Sequence, residues 1–370
     1  MKSLAIIGST GSIGKNSLNV FKKNRSKFDL VFLAAYQNID KLIKQKNKYK
    51  PKKIFLLNES IYKKNKNKVS NIKYLYNFKK KNKKIDYIIS GASGFGSIKI
   101  NFELLKLCKN LLIANKETII CGGKIFLDEA KRNNCKILPI DSEHHCIDFF
   151  LKKTNQTKDI KTLYITASGG PFFNKKIKFN EKISNVMKHP NWNMGKNITV
   201  DSSTFSNKVL ELFEAKILFN IPADKIKIIV EQKSNVHAVI VYNNNIVIHI
   251  LHKPSMEIPI LNSLNLTNKF LFDIDSYSIK FHKPNIKKFP IIPLGYKILN
   301  EYGHPGMILF TVINQRLVEK YLNSEIKYGE IAKTLVNVFR NKNVIKQSKQ
   351  SIKNYNDIIN AIENAKKIKI

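Results

Sequence analysis

Apolar residues in the first part of this chain gather in short runs. Leu4 to Ile7, Leu30 to Ala35, Ile54 to Leu57, Tyr87 to Ser90 and Leu111 to Ala114 are such runs, and helical stretches separate them. In the first of those stretches Leu18 and Phe21 stand three apart. Short apolar runs alternating with helices are the pattern of a parallel sheet covered on both faces. Residues 1–140 therefore predict a doubly wound α/β domain, with function at the carboxyl ends of its strands. Residues 141–265 predict a second α/β segment. It includes a strand pair over Val236–Tyr242 and Ile246–His252, joined by the turn-forming Asn243-Asn244-Asn245. Residues 266–290 lack clean periodicity, contain Pro284 and Pro290, and read as a linker. Residues 291–370 are helical in pattern and end in the amphipathic Ile358, Ile359, Ala361, Ile362 group.

Three segments carry candidate chemistry. Gly8-Ser9-Thr10-Gly11-Ser12-Ile13-Gly14 follows the first predicted strand and opens a helix. Strand, glycine-rich turn and helix place a helix amino terminus, with its free N–H groups and positive dipole end, against a phosphate. The spacing is G-x-x-G-x-x-G, not the common G-x-G-x-x-G of dinucleotide sites. In Ile137-Leu138-Pro139-Ile140-Asp141-Ser142-Glu143-His144, two carboxylates lie two apart after an apolar run. An extended backbone would turn both to one side, where a hard cation such as Mg²⁺ or Mn²⁺ relieves their repulsion. Taken alone, a D-x-E is more often a solvated strand end. The third segment, His189 to Glu211, holds the only tryptophan, Trp192, a row of hydroxyl and amide side chains, and the carboxylate Glu211. Ser202, Asn207 and Lys208 can donate to an anion. A polar loop leading into an ordinary amphipathic helix is the plain alternative.

Composition sets limits. At 370 residues the chain exceeds what one core usually serves, which predicts two or three domains. The apolar runs fall short of the ~20 residues that span a bilayer, and the strand starting at Leu4 leaves no room for a leader, so a cytoplasmic protein without membrane attachment is expected. Cys108, Cys121, Cys135 and Cys146 lack CxxC spacing and read as reduced thiols. The net charge of +38 invites a nucleic-acid reading, since a basic surface binds phosphate backbones by counterion release. Only Arg25, Arg132, Arg316 and Arg340 are arginine, however, and the lysines run the whole length beside Asn and Ile. A/T-rich codons favour those three residues together, so no specific nucleic-acid function is expected.

GSTGSIG (8–14), LLIANKET (111–118), LPIDSEH (138–144), TASGGPF (166–172), HPNWNMGK (189–196), VDSSTFSNKVLE (200–211) and the SNVH of Ser234 to His237 are collinear in this chain. Together they resemble the 1-deoxy-D-xylulose 5-phosphate reductoisomerase family over nearly its whole length. The resemblance implies a Rossmann-like NADPH domain over 1–140, a catalytic and dimerising domain over 141–265 with a mobile lid over 186–196, and a small carboxyl-terminal helical domain. It implies that Thr10, Gly11, Ser12, Ile13, Asn38, Asn115, Glu117 and Gly195 bind the cofactor. Asp141, Glu143 and Glu211 would hold Mg²⁺ or Mn²⁺, with Glu214 behind them. Lys116, Ser142, Glu143, Ser168, His189, Trp192, Ser202, Asn207, Lys208 and Glu211 would bind substrate, Met194 would join Trp192 in covering it, and Lys116, Glu143 and His189 would carry the catalysis. The implied reaction is a metal-assisted rearrangement of a sugar phosphate, then reduction by NADPH, in a homodimer.

The chain departs from the family at several places. Phe173 stands where Arg is usual, EQKS (231–234) replaces HPQS, and HKPSMEIP (252–259) replaces GEPDMRTP. Of the carboxyl-terminal NAANE, only Asn314 and its surroundings are recognisable, with Gln315 following. After the second strand, Tyr36-Gln37-Asn38 replaces Gly-Lys-Asn or Gly-Arg-Asn. Two further readings stay open at this point: a nicotinamide-dependent sugar-phosphate dehydrogenase without rearrangement, and a basic binding protein on a degenerate enzyme scaffold.

Overall fold

The computed structural model describes residues 1–370 except 72–82, 155–158, 193, 268–277, 342–343 and 345–350, and omits the side chains of residues 70 and 71. It divides into two compact units. The first comprises Met1–Thr118, Phe126–His145 and Ser255–Lys269; the second comprises Ile119–Ile125, Cys146–Pro254 and Phe270–Ile370.

The first unit is built on seven parallel strands: β1 (Lys2–Ile7), β2 (Phe28–Ala35), β3 (Lys53–Leu56), β4 (Ser70–Asn71), β5 (Ile85–Ser90), β6 (Cys108–Ile113) and β7 (Lys136–Pro139). Their order is β4-β3-β2-β1-β5-β6-β7, so the chain reverses direction across the sheet beside β1, where the glycine-rich turn lies. This is the doubly wound sheet that the alternating apolar runs predict, and the strands extend one or more residues ahead of those runs. Leu4, Ile6, Leu33, Ile89 and Leu112 of the sheet pack with Leu18 and Phe21 of helix Ser12–Lys23. Ile260, Leu261 and Leu264 join the same core from helix Glu257–Ser263 and its end, about 120 residues after the last strand. A segment expected at the end of the catalytic domain thus covers part of this sheet.

The second unit holds a mixed sheet of β8 (Ile160–Ala167), β9 (Ile226–Val230), β10 (Val236–Tyr242) and β11 (Val247–Leu251), in the order β11-β10-β8-β9. The hairpin predicted around Asn243-Asn244-Asn245 is β10–β11, which pair antiparallel. Leu163, Ile165, Ala238 and Ile240 pack with Leu212 and Ala215 of helix Ser206–Phe219. The carboxyl-terminal region is helical, as its pattern predicts: Ile291–Lys297, Gly303–Leu322, Tyr328–Val338 and Tyr355–Lys367. Of the expected linker, residues 268–277 lie outside the described residues, as does residue 193 of the expected lid. No helix among the described residues is long and apolar enough to cross a membrane.

Candidate functional site

In the first unit, the turn after β1 needs its outer glycines. Gly8 has φ +71°, and a Cβ there would lie 2.6 Å from the backbone of Gly91. A Cβ on Gly14 would lie 2.3 Å from the Gly8 carbonyl oxygen. Such close backbone approach is available to glycine alone. Ser9 ties the turn down: its Oγ donates to Gln45 Oε1 at 2.7 Å, and Gln45 Nε2 donates back to the Ser9 carbonyl at 2.9 Å. Helix Ser12–Lys23 begins at Gly11 with no side chain capping it and no acidic residue in its first turn. Its amino-terminal N–H groups and dipole are thereby left to an anion. Thr10, Gly11, Ser12 and Ile13 surround that terminus. Asn38, exposed after β2, caps helix Ile39–Tyr49 by accepting from Lys41 N at 3.1 Å.

A chain of side-chain bonds crosses the carboxyl ends of β5 and β6. Ser90 Oγ donates to Asn101 Oδ1 at 2.6 Å, and Asn101 Nδ2 donates to Thr118 Oγ1 at 2.8 Å. Asn115 caps helix Lys116–Arg132 by accepting from Thr118 N at 2.7 Å, and its Nδ2 donates to Glu117 Oε2 at 2.6 Å. Glu117 Oε1 in turn accepts from Gly94 N at 2.9 Å. Asn115 and Glu117 are therefore fixed in orientation at the sheet's carboxyl edge. Lys116, between them, is buried and pairs with Asp141 Oδ2 at 2.7 Å.

The extended-backbone reading of Asp141 and Glu143 does not hold. β7 stops at Pro139, and Ser142 starts helix Ser142–Thr154. Asp141 lies just before that helix and Glu143 in its first turn, so the two carboxylates come from a helix start and not from alternate strand positions. Ser142 Oγ donates to Glu143 Oε2 at 2.5 Å. His144 Nδ1 meets Asp141 Oδ2 at 3.1 Å. Burial pushes the Asp141 carboxyl up, but Lys116 and His144 outweigh it and hold the group well below the usual carboxylate range. His144 was not singled out from the sequence, although its spacing of three from Asp141 in the PIDSEH motif puts it within reach.

In the second unit, Gly169 and Gly170 have φ +86° and +65°, which shapes the turn after β8. A Cβ on Gly170 would come within 2.9 Å of the Ser202 carbonyl oxygen, so this turn lies against helix Lys196–Thr204, which carries Ser202. His189 Nδ1 accepts from the backbone N–H of Asn191 at 3.2 Å and of Trp192 at 3.0 Å. Its proton therefore sits on Nε2, which donates to Ser168 Oγ at 3.0 Å. Ser168 Oγ also accepts from Gly170 N at 3.2 Å, so its own hydroxyl proton is the group it can offer a ligand.

Burial, helped by the nearby Lys208 charge, lowers the His189 pKa from 6.5 to about 4. The folded state thus binds this proton more weakly than the unfolded chain does. The His189 contribution to stability is whole above the ordinary value of 6.5 and is lost as pH falls from there towards 4. In an NMR titration the His189 imidazole is expected to be still neutral at pH 6, and its signal should vanish in His189→Gln. A His189 resonance titrating near its ordinary value would contradict the buried geometry.

Helices Lys196–Thr204 and Ser206–Phe219 meet at Phe205, a buried non-glycine residue at φ +66°. A left-handed residue of this kind costs roughly 1–2 kcal/mol. Packing offsets it, with the Phe205 ring against Phe289 at 4.4 Å between centroids. The break ends one helix just after Ser202 and starts the next just before Asn207 and Lys208. Asn207 Nδ2 donates to Glu211 Oε1 at 2.5 Å, and Lys208 Nζ pairs with Glu211 Oε2 at 2.5 Å. Glu211 is 1% and Glu214 4% exposed. Two nearly buried carboxylates one turn apart are costly unless cations or donors attend them. Asp201, beside Ser202, accepts from Asn314 Nδ2 at 2.7 Å, which gives the surviving residue of the carboxyl-terminal motif a place. Trp192, Met194 and Gly195 lie outside any strand, and Gly195 precedes helix Lys196–Thr204. Phe205 escaped the sequence reading because nothing local marks a strained phenylalanine.

The family model for 1-deoxy-D-xylulose 5-phosphate reductoisomerase matches residues 4–123, and two models of its C-terminal domain match residues 137–219 and 251–368. The 1-deoxy-D-xylulose 5-phosphate reductoisomerase of Pelagibacter ubique (strain HTCC1062) is 36% identical, covering 97% of this chain and 96% of its own. That of Clostridium novyi (strain NT) is 37% identical over 98% and 96%. A crystal structure of DOX-P reductoisomerase with NADPH, fosmidomycin and magnesium aligns at TM-score 0.91 and 27% identity, covering 99% of this chain and 97% of that one. The Zymomonas mobilis enzyme in complex with NADPH aligns at TM-score 0.80 and 22% identity over 99% and 100%, and shows the shared fold.

Proposed function

The chain belongs to the 1-deoxy-D-xylulose 5-phosphate reductoisomerase family, and from that membership we propose that it converts 1-deoxy-D-xylulose 5-phosphate to 2-C-methyl-D-erythritol 4-phosphate with NADPH and a divalent metal. The observation that carries this reading is the interlocked Asn207, Lys208 and Glu211 on one helix, beside Ser202 and the Ser168–His189 pair. Phosphate-type donors next to a buried carboxylate suit a substrate with a phosphate at one end and metal-seeking oxygens at the other.

The donor sets fit both NADPH and a divalent metal. The uncapped helix terminus at Gly11 and the close approach at Gly8 and Gly14 suit a pyrophosphate, which Thr10, Gly11, Ser12 and Ile13 would hold. Asn38, Asn115, Glu117 and Gly195 are assigned to the rest of NADPH. Asp141, Glu143 and Glu211 are assigned to Mg²⁺ or Mn²⁺, whose preference is for hard oxygen ligands. Bound there, the metal supplies Lewis acidity to the substrate carbonyl and NADPH supplies a hydride. Lys116 holds Asp141 ionised and can orient a substrate hydroxyl. Ser168, Ser202, Asn207 and Lys208 take the phosphate. When they do, Asn207 and Lys208 exchange Glu211 for the ligand, which leaves that carboxylate to the metal. His189, neutral and anchored, orients Ser168. Trp192 and Met194 cover the substrate and keep water out.

The test is incubation of purified protein with substrate, NADPH and Mn²⁺. Formation of methylerythritol phosphate with loss of NADPH is expected; reduction without rearrangement would support a simple dehydrogenase, and no turnover would sink both. Fosmidomycin should inhibit competitively with the sugar phosphate, since its hydroxamate and phosphonate imitate the substrate's two ends, and uncompetitive inhibition would count against one shared site. We place the protein in the cytoplasm as a homodimer. β11 edges its sheet, and Ile246 and Val247 beside that edge are 56% and 51% exposed. Sedimentation is expected to give twice the chain mass.

A further inference from the structure

Residue 252 is a histidine where the family's GEPDMRTP begins with glycine, and the structure gives that histidine a partner. Val236 pairs with Leu251 and Ala238 with Ile250, so His237 is the extra residue of a bulge in β10. A bulge re-aims the side chain it carries. Here the His237 ring lies on the His252 ring, with centroids 3.8 Å apart and planes at 21°. His237 Nε2 donates to the His252 carbonyl at 3.1 Å, and His252 Nδ1 donates to the Lys253 carbonyl at 2.7 Å. Both rings are thereby fixed in tautomer and orientation. Trp192 meets His237 edge to face, with centroids 6.3 Å apart and planes at 71°.

The segment ahead of Trp192 is moored beside the same place. Asn191 Nδ2 donates to the Gln232 carbonyl at 2.5 Å and to Ser234 Oγ at 2.8 Å. The loop receiving it is drawn tight by buried Glu231, whose carboxylate accepts from the backbone N–H of Lys233 at 2.7 Å, Asn235 at 2.8 Å and Val236 at 3.2 Å.

We propose that His252 is a positioning residue for the reaction: its ring, stacked on His237, sets the face against which Trp192 docks and so biases the 189–192 segment towards its substrate-covering position. The proposal deepens the function proposed above, since it assumes that Trp192 covers the substrate. Without the second ring, His237 keeps its bond to the backbone at 252 but can tilt away from Trp192.

Trp192 is the only tryptophan, so its fluorescence reports the docking directly, in the absence of substrate. In His252→Ala the ratio of docked to undocked Trp192 is expected to fall about two- to tenfold, the span of one aromatic pair. Acrylamide should then quench the emission more strongly. KM for the sugar phosphate should rise by up to that factor, as the competent fraction falls, while kcat at saturation stays within about twofold. His252→Phe, which keeps an aromatic face, should restore both readouts. Unchanged quenching in His252→Ala would overturn the proposal, and so would a His252→Phe variant that behaves like His252→Ala. If the alanine variant fails to fold, His252→Gln removes the ring and gives the same two readings. Should the wild type show no turnover, the function fails while quenching still decides the stacking.

Discussion

Glu211→Gln is expected to keep the fold and abolish turnover. Glutamine has the shape of glutamate and still offers an amide oxygen to Asn207 Nδ2, so helix Ser206–Phe219 keeps its local contact. What it removes is one of the three anionic oxygen donors proposed for a hard cation, and a neutral amide binds Mg²⁺ or Mn²⁺ far less well. Weakened metal misplaces both substrate oxygens at once, so the loss falls on the chemical step and not on KM alone. Circular dichroism should match the wild type, Mn²⁺ titration should show weakened affinity, and kcat at saturating Mn²⁺ should drop by far more than tenfold. Retention of more than about a tenth of wild-type kcat, a loss under ~1.4 kcal/mol, would remove Glu211 from the ligand set. Glu214→Gln is the control. Glu214 is equally buried one turn along the helix, and as a support behind the ligands it should cost less activity.

What the sequence made legible was set by local rules. Period and run length gave the doubly wound sheet, because strands covered on both faces are apolar throughout. The glycine turn was legible because strand, glycines and helix start are consecutive, and the hairpin was legible through its three asparagines. Non-local arrangements were not. Helix Glu257–Ser263 packs into the first unit's core, yet no local pattern says which sheet its apolar face will cover. Asp141 and Glu143 read as alternate strand positions because Ile137 to Ile140 is apolar; the helix start at Ser142 overrides that pattern. Phe205 reads as one more apolar helix position, yet its backbone is left-handed and its ring packs against Phe289, far away in the sequence. Glu231 and His252 read as losses from a motif. In the structure each has contacts of its own, the first to three backbone N–H groups and the second to His237.

Cofactor choice is where this chain should differ most from its relatives in kinetics. The usual Lys or Arg after the second strand offers a cation to the 2′-phosphate that distinguishes NADPH from NADH. This chain has Gln37 there, exposed, between Tyr36, which is 61% exposed, and Asn38. Asn38 Oδ1 is committed to capping the next helix, which leaves its amide N–H groups to a ligand. A carboxylate at the end of β2 would favour NADH by binding the ribose hydroxyl, but β2 ends in Ala34-Ala35, and Asp40 lies past Asn38 in the helix. NADPH is therefore expected to keep its advantage through Gln37 and the positive charge of Lys41 in the first turn of that helix, at reduced strength. Loss of one charge-assisted contact amounts to ~1.5–3 kcal/mol, or about 10- to 150-fold in the ratio of kcat/KM for the two cofactors. Gln37→Lys is expected to raise the NADPH/NADH ratio by a factor in that range, with kcat for saturating NADPH little changed, because the contact lies at the adenosine end, far from the hydride. The gain should shrink as salt is raised, since an exposed ion pair is screened. A ratio that Gln37→Lys leaves unchanged would mean that position 37 does not read the 2′-phosphate, and Lys41→Ala would then be the variant to lose discrimination.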